Sequence, residues 1–178
     1  VMSIGAKLQR SPIAISCRAD SGIKTPKDLE KGHIVQAANS GDTVMFDGFA
    51  RAAGIDVSKV KRTMVHPSKL LSTVISGRAD CQGAYYVSNS ATLELKQPGS
   101  VHFLYADYGM KTLDLGLNTR TDMIKNGPDL VQLVVDGAME GLKLQLLGQE
   151  KSLDIMIEAK PELKTRPRKL LLTHMGNT

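Results

Sequence analysis

Strand-like and helix-like segments alternate along this chain of 178 residues as far as Thr119. His33 to Ala38 is an apolar-rich run typical of a buried strand, and Val44 to Ala53, closed by Gly54, has the spacing of a helix. Val60 to His66 begins a second strand–helix repeat. Because such alternation packs helices on both faces of a mainly parallel sheet, the sequence predicts an α/β fold.

Beyond Thr119 the pattern is helical only. A long helix is predicted from Pro128 to Leu147, and another from Lys151 to Ala159. The long helix carries Asp136 and Lys143 within its apolar stretch, so it is amphipathic and too polar to span a membrane. We therefore expect a second lobe whose sheet this chain supplies only in part.

The start of the chain has no secretion signal and no lipid-anchor cysteine. It opens at Val1, directly in a strand-like run. We expect a fragment or a processed chain.

The net charge of +5 raises the question of nucleic-acid binding. The basic residues are interspersed, and the densest run, from Lys164 to Lys169, has the pattern of a solvated helix face. Aromatic residues make up only 4% of the chain, with no Trp, so no stacking platform for single strands is predicted. We expect no nucleic-acid partner.

Enzyme and metal signatures are missing from the sequence. The four histidines lack metal-ligand spacing, and no nucleophile elbow, phosphate-binding loop or dinucleotide glycine pattern is present. Cys17 and Cys81 lie in strand-like segments far apart in sequence, and we expect two buried free thiols. A nucleophile pair with His66 would need a fold that brings them together, and nothing in the sequence indicates one. We expect no catalytic residue, metal or cofactor.

The turn from Asn39 to Thr43 is the most informative local feature, because it joins a predicted strand to a predicted helix. Such a junction directs backbone N–H groups and the positive end of the helix dipole toward a crevice. Gly41 permits close approach, and Ser40 and Thr43 add hydroxyl donors, so a polar or anionic group is the expected ligand. The alternative is that Ser40, Asp42 or Thr43 only caps the helix.

Two further segments lie at predicted strand ends. Gln82 and one tyrosine of the Tyr85-Tyr86 pair could offer hydrogen bonds and an aromatic wall to a ligand. Tyr105 to Gly109 follows the next strand and holds the other two tyrosines of the chain. Ordinary strand packing is the alternative for both segments.

Taken in order, these segments resemble the periplasmic solute-binding proteins of the nitrate, sulfonate and thiamine-precursor importers. The resemblance covers about residues 8 to 163, and its Thr25-Pro26-Lys27-Asp28-Leu29 element is shared by many type II binding proteins. The other matching stretches are Ser21 to Glu30 around that element, the Ser40-Gly41 turn, Ala53 to Val60, Leu71 to Asp80, Gly83 to Tyr86, Asp107 to Met110 and Met123 to Leu130.

The resemblance implies a type II periplasmic-binding-protein fold, with two lobes, mainly parallel sheets and crossing hinge strands. Residues 1–19 would be part of lobe I with the first hinge strand, residues 20–100 lobe II, and residues 101–178 the second hinge strand with the C-terminal helices of lobe I. The N-terminal part of lobe I would be missing. The long helix would then expose an apolar face and offer a surface for self-association.

The resemblance also implies the function. The chain would be the substrate-binding component of an ABC transporter, periplasmic or lipid-anchored outside the cell, which captures a small polar or anionic solute between two lobes and docks on a membrane permease. The solute would meet Ser40, Gly41, Asp42, Thr43, Gln82, Gly83 and Tyr85, with Ser11 and Tyr108 near the hinge.

Two other functions share this fold. One is the ligand-sensing domain of a LysR-type transcription regulator, and the other is a pyrimidine-precursor synthase. The synthase relatives carry a histidine pair and a cysteine cluster that this chain lacks. Pyrimidine-binding members usually carry Asn-Asn-Glu where this chain has Val87-Ser88-Asn89, which disfavours a thiamine-precursor ligand.

Overall fold

A computed structural model describes residues 1–176 and divides the chain into two compact units. Unit 1 combines Val1–Ser11 with the chain from Leu113 onward, and unit 2 is Pro12–Thr112. The strands are β1 (Met2–Leu8), β2 (Ile13–Cys17), β3 (His33–Gln36), β4 (Lys61–Met64), β5 (Cys81–Tyr85), β6 (Val101–Leu104) and β7 (Asp114–Thr119). The α-helices are α1 (Gly41–Ala52), α2 (Leu70–Ile75), α3 (Ala91–Lys96), α4 (Thr121–Asn126), α5 (Pro128–Leu147), α6 (Gln149–Ala159) and α7 (Arg168–Gly176).

Unit 2 is built on a five-stranded sheet with the order β4-β3-β5-β2-β6. Strand β3 runs parallel to β4 and β5, whereas β2 runs antiparallel to both β5 and β6. The predicted α/β fold is confirmed, and its sheet is mixed. The reason lies in the connections: β5 and β6 are linked through α3 and share one direction, while β2 is inserted between them without a crossover helix to either.

Short 3₁₀ and π-helical segments occur between several of these strands and α-helices. The segment that begins at Thr25-Pro26 is a 3₁₀ helix, Pro26–Lys31, in which the Asp28 carboxylate accepts hydrogen bonds from the Thr25 backbone and hydroxyl, both at 2.8 Å. These bonds lower the pKa of Asp28. The segment directly after β5 is a π-helix, Tyr86–Ser90, which leads into α3. Other 3₁₀ segments are Val57–Lys59, Pro67–Lys69, Tyr105–Tyr108 and Pro161–Thr165.

Both faces of the unit 2 sheet are covered, as the sequence predicts. One face packs against α1 through a core that includes Ile15, Phe46 and Phe49. The other packs against α2 and α3 through a smaller core that includes Val35 and Leu93. Because strand side chains alternate between faces, the neighbouring residues Ile34 and Val35 of β3 belong to different cores.

The two cysteines contradict the prediction of free thiols. Cys17 and Cys81 are directly opposite one another in the register of β2 and β5, and a disulfide joins them. Both side chains are fully buried. Strand-like surroundings correctly indicated burial, but the pairing of two strands 64 residues apart in sequence brings the two sulfur atoms together.

Unit 1 has a much smaller framework. Its sheet is a two-stranded antiparallel ribbon of β1 and β7. Its described core is a cluster of Leu153, Leu171 and Met175, and α5 has no buried residue. The assignment of residues to lobes I and II of a longer protein, with limits near residues 19 and 100, stays a prediction. Within residues 1–176, no helix is long and apolar enough to cross a membrane.

Candidate ligand-binding site

The turn between β3 and α1 is held by two hydroxyl groups. Ser40 Oγ and Thr43 Oγ1 each lie 2.7 Å from the carbonyl oxygen of Ala37, to which they donate. Asn39 takes up a left-handed backbone conformation, with φ of 59°, and lets the chain reverse before α1 begins at Gly41. The Ser40 side chain is turned toward the end of β3 and does not cap α1. The first turn of α1 therefore stands at the carboxyl end of β3 with its positive dipole end leading.

Asp42 points into the protein from this first turn and is only 4% exposed. Its Oδ2 accepts a hydrogen bond from Gln36 Nε2 at 2.9 Å, and its Oδ1 lies 2.5 Å from Ser40 Oγ. Its backbone carbonyl accepts from the hydroxyl of Tyr105 at 3.0 Å. Burial, and then the negative charge of Asp42, raise the pKa of Tyr105 well above its ordinary value, which keeps this hydroxyl a donor.

Gly83 makes room for the Asp42 carboxylate. A Cβ atom built on Gly83 would lie 1.7 Å from Asp42 Oδ2 and 2.5 Å from Asp42 Cγ. Any side chain on β5 at this point would thus displace the carboxylate. The approach of α1 to β5 depends on glycine here.

A chain of hydrogen bonds connects Asp42 through Gln36 to Arg62 on the edge strand β4. Gln36 is fully buried, and its Oε1 accepts from Arg62 Nε at 2.7 Å. The Arg62 guanidinium stacks over the ring of Phe46, with 4.2 Å between Cζ and the ring centroid, and its Nη1 lies 3.4 Å from Asp47. Gln36, Arg62 and the role of Tyr105 were not predicted from the sequence. A glutamine inside an otherwise apolar strand was the available signal, because a buried amide needs partners.

Tyr85 completes the group at the end of β5. A Cβ atom built on Gly41 would lie 3.7 Å from the Tyr85 hydroxyl, so this hydroxyl stands beside the first residue of α1. Six of the predicted ligand residues are therefore gathered at one corner of unit 2. They are Ser40, Gly41, Asp42, Thr43, Gly83 and Tyr85.

The other three predicted residues lie elsewhere. Tyr108 packs edge-on against Phe49 of α1, with 5.3 Å between the ring centroids. Gln82 is fully buried and precedes Gly83 on β5, so its side chain is on the face of the sheet opposite Asp42. Ser11 belongs to unit 1, where its hydroxyl donates to Asp114 at 2.7 Å.

A second polar cluster occupies that opposite face, around His102 of β6. Its Nδ1 lies 3.0 Å from Ser16 Oγ, its Nε2 lies 3.6 Å from Glu94, and its ring packs edge-on against Tyr86. Burial lowers the pKa of His102, and the nearby Glu94 carboxylate partly offsets this. The order serine, histidine, carboxylate is that of a hydrolase triad, but Ser16 is fully buried and beyond the reach of a substrate. Across residues 1–176, no group of three or more metal-binding side chains is present.

Comparison with solved structures defines the class of fold. The periplasmic aliphatic sulphonate binding protein SsuA from Escherichia coli matches with a TM-score of 0.78 at 18% identity, over 98% of this chain and 55% of that protein. The alkanesulfonate-binding protein SsuA from Xanthomonas axonopodis pv. citri, bound to MOPS, matches with a TM-score of 0.68 at 12% identity, over 99% of this chain and 59% of that protein. The ligand-binding component of an ABC-type import system from Staphylococcus aureus matches with a TM-score of 0.64 at 13% identity, over 98% of this chain and 58% of that protein. The fold is that of the type II periplasmic binding proteins.

The family follows from the sequence. The family model described as "NMT1/THI5 like" matches residues 1–150, which is most of the chain, so the chain belongs to the NMT1/THI5-like family. No curated protein matches the sequence. The chain spans little more than half the length of the solved proteins named above.

Proposed function

We propose that this chain is part of the substrate-binding component of an ABC importer, in which it captures a small polar or anionic solute. One observation carries the proposal: the first turn of α1 and the Tyr85 hydroxyl meet at the carboxyl ends of β3 and β5. Ligands of open α/β sheets bind at such strand ends, where helix N-termini present donors. The family and the similar solved structures support this choice.

In this site the backbone N–H of Gly41 and the Tyr85 hydroxyl would meet the solute. Ser40 and Thr43, whose hydroxyl groups donate to the Ala37 carbonyl, would line the site and hold the turn in shape. Asp42 would have a different part, because its carboxylate is turned inward and already accepts from Gln36. It would hold the first turn of α1 in place. The solute classes we propose are sulfonate, nitrate and thiamine precursor, with Tyr108 as a further contact and Ser11 near the hinge. Gln82 stays in the predicted set, although its side chain lies on the opposite face.

The remaining properties concern the whole protein. We propose that it closes around the solute by hinge motion and docks on a membrane permease. We propose a periplasmic or lipid-anchored extracellular location. The Cys17–Cys81 disulfide supports that location, because disulfides persist in oxidising compartments.

The binding proposal is tested by melting the purified chain with methanesulfonate, nitrate, acetate and an aminopyrimidine in turn. A compound that binds the folded chain at about 100 times its Kd adds about 2.7 kcal/mol to the free energy of unfolding, so the melting temperature rises. Tyr85→Phe, which removes only the hydroxyl, should reduce that rise. Tyr86→Phe is the matched control, because Tyr86 packs on His102 and should leave the rise unchanged.

Two results would count against this site. One is that none of the four compounds raises the melting temperature. The other is that Tyr86→Phe weakens binding as much as Tyr85→Phe, since the effect would then be unrelated to the corner where Tyr85 lies.

We propose that the chain is not itself an enzyme. The synthase alternative within the family predicts iron-dependent formation of a pyrimidine product. Incubation of the purified chain with iron and a small-molecule extract of cells as the source of substrate, followed by mass spectrometry, should detect no such product beyond that of the extract alone. Its appearance, together with its loss on adding a chelator, would establish the alternative.

We also propose that unit 1 self-associates through α5. The exposed apolar side chains of this helix include Leu130, Leu133, Val134, Leu146 and Leu147. The groove between α5 and the β1–β7 ribbon, of about 310 Å³, is lined mainly by apolar groups such as Leu117 and Leu142. An apolar surface of this kind is a site of association in water.

A further inference from the structure

Gln82 is a fully buried amide whose oxygen and nitrogen both lack a hydrogen-bond partner among residues 1–176. Gln36, on the neighbouring strand β3, is equally buried but has a partner for each atom, Asp42 for the nitrogen and Arg62 for the oxygen. Leaving a buried amide unpaired is costly, and buried polar side chains in folded proteins nearly always have a partner, which is either a protein group or an ordered water molecule. Gln82 therefore requires an explanation that Gln36 does not.

The surroundings of Gln82 are polar on one side. Gln82 and Ser16 are directly opposite in the antiparallel register of β5 and β2, so both side chains project from the same face of the sheet. Ser16 Oγ lies 2.6 Å from Ser90 Oγ, and both serines are fully buried. On the other side, Val35 of β3 is paired with Gln82 and offers only apolar contact. Within the sheet, the polar neighbours of the amide therefore lie on the serine side.

The two serines and His102 have unused hydrogen-bonding capacity. If His102 Nδ1 accepts from Ser16, then Ser16 accepts from Ser90, and lone pairs of Ser90 are left over. If Nδ1 carries the proton, His102 donates to Ser16 and Ser16 donates to Ser90. The hydroxyl hydrogen of Ser90 is then unused, as is one of its lone pairs. With either tautomer, Ser90 can bond to a molecule that also bonds to the Gln82 amide.

We propose that an enclosed water molecule is bound between the Gln82 carboxamide and the Ser16–Ser90 pair, as a permanent part of unit 2. Water fits the chemistry because it accepts from the amide nitrogen, or donates to the amide oxygen, and donates to a serine oxygen. The site has three fully buried polar side chains, which come from β2, β5 and the π-helix. The bound water links Gln82 of β5 to the last residue of the π-helix, Ser90.

This link also bears on the ligand corner. The π-helix Tyr86–Ser90 begins directly after Tyr85. Its end is fixed at Ser90 by the bond to Ser16 and, through the water, by Gln82. The enclosed water thus stabilises the segment that follows Tyr85, independently of which solute the protein binds.

The direct test is NMR of the ¹⁵N-labelled full chain. We expect nuclear Overhauser effects of the long-lived type between water and the Gln82 side-chain NH₂ group, and none for the NH₂ group of Gln36, whose nitrogen bonds to Asp42. The experiment needs no variant. It also needs no solute, so its outcome is separate from that of the importer proposal.

Variants give a second, thermodynamic test. Gln82→Met keeps the size of the side chain but removes the amide, so losing the water should lower the melting temperature by roughly 2–4 °C. Gln36→Met removes an amide that is paired with Asp42 and Arg62, so its melting temperature should fall and shows what the loss of a paired amide does. A melting temperature that is unchanged or raised in Gln82→Met would overturn the proposal, because the amide would then have been unpaired. A lowered melting temperature without the water contacts in NMR would also overturn it, since Gln82 would then bond to protein directly.

Discussion

At the scale of single residues, the contact between Gly83 and Asp42 decides how closely α1 approaches β5. We expect Gly83→Ala to lower the free energy of unfolding by about 1–3 kcal/mol, because its methyl group would overlap the Asp42 carboxylate. Urea denaturation of the natural chain and of Gly83→Ala measures this difference in the free energy of unfolding. Gly141→Ala is the control for the substitution itself. A Cβ atom added there meets nothing within 4 Å apart from its own helix turn, and alanine in a helix is more favourable than glycine by about 1 kcal/mol.

The same contact can be tested as a coupling. In Asp42→Ala the carboxylate is gone, so the added methyl group of Gly83→Ala has space. We expect the double variant to be less destabilised than the sum of the two single variants. Additive effects would mean that Gly83 is required for another reason.

His102 makes the free energy of unfolding depend on pH. Burial lowers its pKa below the ordinary 6.5, so the unfolded chain takes up this proton at a higher pH than the folded chain does. Stability is therefore full above pH 6.5 and is lost as the pH falls through the lowered pKa of the folded state. Replacing His102 with Gln should flatten the dependence of the melting temperature between about pH 8 and 5.

The neighbours of His102 define the comparison for that measurement. Glu94 is its charged neighbour, and Ser16 and Tyr86 are its uncharged ones. His66→Gln removes an exposed histidine outside this cluster and serves as the matched control. If both variants flatten the curve equally, the cluster around His102 is not the source.

At the scale of elements, the pairing of β2 with β5 is secured by the disulfide. Cys17 and Cys81 close a loop of 64 residues, and removing that constraint should cost about 4 kcal/mol by the loop-entropy relation. We expect dithiothreitol to lower the melting temperature of the natural chain markedly. The Cys17→Ala/Cys81→Ala variant should melt at the lowered temperature and be insensitive to dithiothreitol. Equal melting temperatures with and without reductant in the natural chain would contradict this prediction.

At the scale of the whole molecule, the two units differ in how much apolar surface they cover. Unit 2 buries cores on both faces of its sheet, whereas α5 of unit 1 leaves Leu133 68% exposed and Leu147 78% exposed. We expect the molar mass in light scattering to rise with concentration. Leu133→Glu should shift the chain toward the monomer, because it places a charge on the apolar face. Val44→Glu, at an exposed apolar position of unit 2, is the control and should leave association unchanged.

Much of the fold could be predicted because it rests on local patterns. The apolar run from His33 to Ala38, the turn with Ser40 and Gly41, and the helix closed by Gly54 are contiguous in sequence. Their interactions, such as the hydroxyl of Ser40 on the carbonyl of Ala37, span three residues. The helices α5 and α6 were recognisable for the same reason, since their apolar and polar residues repeat within a few turns.

What only the tertiary structure decided is the set of contacts between strands distant in sequence. Sequence predicts that Cys17 and Cys81 are buried, and only the register of β2 against β5 makes them partners. Sequence likewise places Gln82 and Gly83 at one strand, but a strand sends neighbouring side chains to opposite faces. Which of the two meets Asp42 depends on where α1 packs. Local patterns thus determined the elements and the family resemblance of this chain, and the pairing of those elements determined which polar groups meet.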